Sequence, residues 1–79
     1  MKNLSNTESG VFEMLIEKVC GVTIIHVMRQ AYPLELFFDG QRFLNADVWH
    51  SDYHEIIISE ETMEDIYPGL LAEARAKIA

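Results

Sequence analysis

Residues 34–44 read LELFFDGQRFL, and the reading of this stretch decides the fold. Apolar and polar residues alternate on both sides of Asp39-Gly40, as they do in strands with one buried face. The Asp-Gly pair supplies the positive φ angles of a two-residue hairpin turn. Pairing across that turn sets Phe38 opposite Gln41, Phe37 opposite Arg42 and Leu36 opposite Phe43. Leu34, Leu36, Phe38 and Phe43 then form one apolar face. Glu35, Phe37, Arg42 and Leu44 form the other, mixed and solvated, with Arg42 placed to lie over the Phe37 ring.

Upstream, residues 22–29 (VTIIHVMR) are rich in β-branched residues and apolar on both faces, which predicts a central strand. Pro33 ends the run, because the residue before a proline is pushed into an extended conformation. Before the strand, Val11, Phe12, Leu15, Ile16 and Val19 recur at helical spacing. Ser5 and Glu8 have the spacing of a capping box, and Gly21 occupies a helix-stop position. A helix over residues 8–20 is the expectation, preceded by a flexible polar arm over residues 1–7.

Downstream, residues 45–52 carry no decisive pattern. Residues 53–58, with Ile56, Ile57 and Ile58, predict a strand inside the sheet. Ser59 caps a helix whose first turn bears Glu60 and Glu61 and whose far end bears Arg75 and Lys77, both favourable to the helix dipole. Its apolar stripe is Met63, Ile66, Tyr67, Leu70, Ala74 and Ile78, and Pro68 within it predicts a kink or a split. The expected fold is a small single α+β domain over residues 8–79. An antiparallel sheet of three or four strands, including the 34–44 hairpin, is covered by an N-terminal helix and by a C-terminal helix kinked or split at Pro68.

A chain of 79 residues supports one core. Its longest apolar stretch, residues 19–28, is broken by Gly21, Thr23 and His26 and is too short to span a bilayer. MKNLSNTESG has no apolar segment of the kind a secretory signal needs, and the lone Cys20 cannot form an internal disulfide, so a cytoplasmic setting is expected.

The net charge is −7, and no Lys or Arg lies between Arg42 and Arg75. That stretch instead carries Asp47, Asp52, Glu55, Glu60, Glu61, Glu64, Asp65 and Glu73. Such a field repels phosphate backbones and argues against direct nucleic-acid binding. A basic protein surface would be steered toward it.

Candidate chemistry is sparse. WHSDYHE places His50, Asp52 and His54 on one side of an extended segment, a weak metal candidate with no fuller ligand set and no second-shell partner identifiable. Cys20 with His26 has the residue types of thiol catalysis, but a cysteine at a helix C-terminus is disfavoured as a thiolate, so a buried structural thiol and a core histidine are expected. No phosphate-binding glycine loop, nucleophile elbow or paired buried carboxylates are present. No enzyme and no cofactor are expected.

The expected role is non-enzymatic protein binding. Asp47, Asp52, Glu55, Glu60, Glu61, Glu64 and Asp65, with Phe37, Arg42 and the partly exposed Trp49, are the candidate contacts to a basic partner. In size and charge alone the chain is similar to small phage-encoded inhibitors that occupy a nucleic-acid groove by presenting phosphate-like charge. The alternatives are a metal-binding protein using His50, Asp52 and His54, and a homo-oligomerisation module, such as a homodimer, that pairs its open sheet face with itself.

Overall fold

The computed structural model of the protein describes residues 11–79. Five strands, β1 (Met14–Val19), β2 (Val22–Val27), β3 (Leu34–Asp39), β4 (Arg42–Trp49) and β5 (His54–Ile57), are followed by two helices, α1 (Glu60–Ile66) and α2 (Leu70–Ile78). The strands form one antiparallel meander in the order β1-β2-β3-β4-β5. Both helices lie on the same side of it, contributing Met63, Leu70, Leu71 and Ala74 to a core built on Ile25, Leu34, Leu36, Phe38, Ala46 and Val48.

This corrects the expected sheet of three or four strands between an N-terminal and a C-terminal helix. The part of the expected helix that can be examined is strand β1, pairing with β2 from Met14↔Val27 to Val19↔Val22. Residues 8–10 of that helix, the Ser5–Glu8 capping box and the arm over residues 1–7 lie outside the described residues. The reason for the difference lies at Cys20 and Gly21, with φ angles of 51° and 83°. Two successive positive φ values are the signature of a type I′ turn, which folds the chain straight back on itself instead of ending a helix. The spacing of Val11, Phe12, Leu15, Ile16 and Val19 fits a helical stripe by coincidence. In the sheet, Leu15, Glu17 and Val19 face one side while Met14, Ile16 and Lys18 face the other.

The 34–44 hairpin forms one residue later than expected. Gly40 and Gln41 make the turn, and Asp39↔Arg42 and Phe38↔Phe43 are the pairs beside it. Gly40 alone has a positive φ, 61°, the pattern of a type II′ turn with glycine at its first central position. Moving the turn by one residue shifts each pairing by two, so side chains keep their faces. Leu34, Leu36, Phe38 and Phe43 are all buried, with the Phe38 and Phe43 rings packed edge to face at 5.7 Å. Arg42 does not lie over Phe37; its guanidinium donates to Asp39 at 3.4 Å.

A β-bulge follows. Phe43 pairs with Phe38 and Asn45 with Phe37, leaving Leu44 without a partner on β3. The inward set therefore changes parity from Phe43 to Ala46 and Val48, both buried. Through this bulge residues 45–49 continue the strand. Segment 53–58, expected inside the sheet, is instead the short edge strand β5.

The C-terminal segment is split around Pro68. Ser59 caps α1, accepting from the Thr62 amide at 3.2 Å. Gly69, at φ 83°, redirects the chain into α2. Two long-range ties fasten α2 to the sheet. The Glu73 carboxylate accepts from the amides of Val11 and Phe12 at 2.9 and 3.1 Å. Arg75 donates to the Gln41 carbonyl at 2.9 Å and forks onto both Glu60 oxygens at 3.2 and 2.9 Å. No helix of the described residues is long and apolar enough to cross a membrane.

Candidate functional site

Because both helices take one face of the meander, the other face is left uncovered among the described residues. The register fixes what it presents. One row across the strands reads Leu15, His26, Glu35, Asp47, Ile56; the next reads Glu17, Ile24, Phe37, Asn45. Val19 with Val22, and Trp49 with His54, complete it. Leu15 and Ile56 are each 59% exposed and Trp49 46%. Asp39 paired with Arg42 closes the far end of this face, since the neighbouring Phe38 and Phe43 point inward. Large apolar side chains and four carboxylates, Glu17, Glu35, Asp39 and Asp47, share one surface whose arginine, Arg42, sits at the end away from Trp49.

The histidines are held by Glu17, Glu35 and Asp47. His26 sits between Glu17, with Nε2 to Oε1 at 2.9 Å, and Glu35, with Nδ1 to Oε2 at 3.1 Å. His54 stacks flat on Trp49, centroids 3.8 Å apart and planes 5° apart, with its Nε2 3.6 Å from Asp47. Asn45 also donates to Asp47, at 2.9 Å. Glu35 and Asp47 are direct cross-strand partners, an arrangement of like charges that costs stability unless a cation offsets it.

The expected contact residues fall into two groups on opposite sides of the sheet. Phe37, Asp47 and Trp49 belong to the uncovered face. Glu60, Glu61, Glu64 and Asp65 lie on α1, whose Met63 is in the core beneath the opposite face. Glu60 is occupied by Arg75, whose hydrogen bond holds its carboxyl below the usual range, and Glu64 accepts from the Gly69 amide at 3.1 Å. Glu55 pairs with Val48 on the helix side and takes His50 Nε2 at 2.9 Å. It also helps, after burial itself, to push the nearby Tyr67 hydroxyl upward. Asp52 is exposed in the turn between β4 and β5, and Arg42 is at the opposite end of β4, on the uncovered face beside Asp39.

The segment holding His50, Asp52 and His54 is a bend rather than a continuous strand, so its side chains part. His50 stacks on Tyr53 and leans on Tyr32 beside β5, while His54 faces the uncovered side. Among the described residues no group of three or more His, Cys, Asp or Glu converges as a metal site. Cys20 is exposed in its turn, not buried at a helix end, and His26 lies on the uncovered face, not in the core.

Leu15, Glu17, His26 and Ile56 join the site without having been singled out from the sequence as contacts. The alternation of Leu15, Glu17 and Val19 was the available signal, hidden by the helical reading of β1.

No protein-family model matches the chain, and no curated protein or solved structure matches it either.

Proposed function

We propose that the protein is a non-enzymatic binding module of the cytoplasm that engages a protein partner with a basic surface through the uncovered face of its sheet. The observation that supports this is the composition of that face: exposed Leu15, Trp49 and Ile56 beside Glu17, Glu35 and Asp47, with its arginine, Arg42, at the far end and paired with Asp39. Exposed apolar side chains with a central aromatic give short-range affinity, and the carboxylates give steering and orientation. A regulator or inhibitor that competes with nucleic acid for a basic groove is the concrete form of this role. The acidic residues of α1 are secondary to it, since they point away from the same surface.

The test compares two double variants on the partner captured from the native host. Leu15→Lys with Ile56→Lys alters the uncovered face at two exposed positions, and Glu61→Lys with Asp65→Lys alters α1. The first pair should abolish binding while the second slows association modestly. The reverse result would move the interface to α1. If the purified protein is a dimer that the first pair converts to monomer, the occupant of the face is a second copy.

A further inference from the structure

At the end of the uncovered face, where the segment between β2 and β3 passes Trp49, lies a hollow of about 350 Å³ lined by His26, Arg29, Tyr32, Pro33, Glu35 and Trp49 among others. Its volume is within the range of sites that enclose a small ligand or a large side chain, about 300–1,000 Å³. We propose that this hollow receives an arginine side chain of the protein partner. The inference rests on the binding role proposed above and names the group that anchors it.

Three features select a guanidinium. The first is an available aromatic surface. His54 covers one face of the Trp49 ring at 3.8 Å, yet the residue is 46% exposed and lines the hollow. A planar guanidinium stacks on such a face, where a compact, strongly hydrated ammonium fits less well. The second is unbalanced negative charge. Glu35 and Asp47 are directly opposite one another, and Trp49 follows Asp47 on the same face. His26 engages Oε2 of Glu35 at 3.1 Å, while Oε1 makes no hydrogen bond among the described residues. The third is that the hollow's own arginine is already occupied. Arg29 is tied to Glu13 at 2.6 Å, so its guanidinium is engaged by a carboxylate other than Glu35. An anionic ligand would meet Glu35 and is disfavoured.

Trp49 is the sole tryptophan of the chain, so its fluorescence reports the site directly. The probes are acetyl-Gly-Arg-Gly-amide and the same peptide with citrulline, which keeps the shape and loses the charge. The arginine peptide should change Trp49 emission saturably in the millimolar range, and the citrulline peptide should not. Glu35→Gln should weaken the arginine peptide about tenfold, the effect of one charge-assisted hydrogen bond. Tyr32→Ala, in an exposed loop position that leaves the sheet intact, should weaken it about threefold. A non-saturable response, or equal binding of the citrulline peptide, overturns the proposal even if Glu35→Gln fails to fold. Leu15→Lys with Ile56→Lys lies outside the hollow and separates the two claims. Loss of the captured partner in that variant, with no arginine-peptide binding to the native protein, defeats the arginine site and leaves the uncovered-face reading standing.

Discussion

The hairpins β1–β2 and β3–β4 share a plan: strands of at least six residues joined by a two-residue turn that needs positive φ. Their surroundings differ. Leu34, Leu36 and Phe38 of β3 are at most 1% exposed, whereas Leu15, Ile16 and Val19 of β1 are 59, 43 and 42% exposed. The central hairpin is held by packing on both its neighbours and the helices. Strand β1 of the outer one is held by its ladder to β2, its turn and the Glu73 clasp. A strand's pattern is written by what it buries, so a strand that buries little on either side is free to carry apolar residues at any spacing.

The largest expected effect tests that contrast in the core. Phe38→Ala should cost about 3–5 kcal/mol by chemical denaturation, a large share of the roughly 5–15 kcal/mol that a small domain has. Ile16→Ala, on the same side of the sheet but part-exposed, should cost less than about 1 kcal/mol. Comparable losses would show that β1 is packed as deeply as β3.

The turns offer a sharper comparison, because they should not differ. A Cβ at Gly21 or Gly40 would meet nothing within 4 Å, so the only penalty is conformational, at φ 83° and 61°. Gly21→Val and Gly40→Val should each lower stability by about 1 kcal/mol or more, measured by thermal unfolding. No change in the first would remove the hairpin assignment of β1.

Smaller and more local is the effect of Glu73→Ala. It should cost about 1 kcal/mol and raise amide exchange in Met14–Val19 while leaving Leu34–Asp39 protected. Uniform acceleration across the sheet would mean that β1 and the core open together.

The smallest effect is one of pH. Arg75 lowers the Glu60 carboxyl from its ordinary value, so the ionised form is favoured by folding. That contribution is present above the ordinary carboxylate range and is lost as pH falls through the lowered value. Glu60→Gln should flatten this acid limb of the stability profile slightly, and an unchanged limb would show that solvent screens the pair completely.

The contrast between the hairpins also explains what could be read in advance. The faces of β3, the two strand runs beside Gly40 and the break at Pro68 each follow from one buried period or one backbone constraint. The β1 strand was not legible because Gly21 serves equally as a helix stop and as the second residue of a type I′ turn, and only the partner strand decides between them. Strand β4 was obscured by its bulge, since Phe43 and Ala46 cannot share a face in an unbroken alternation. The acidic residues were visible, but not the fact that α1 would carry half of them to the far side of the sheet.

That bulge has a consequence for changes in chain length. Between Phe43 and Ala46, β4 carries one residue more than β3 requires. Removing Leu44 leaves Asn45 to follow Phe43, and removing Asn45 puts Leu44 in its place; in either case Ala46 and Val48 still face inward and Asp47 and Trp49 still face out. A single-codon deletion elsewhere within a described strand reverses every side chain on one side of the break. Here it closes a gap in the ladder, so β4 can be shortened at this point while the uncovered face keeps Asp47 and Trp49.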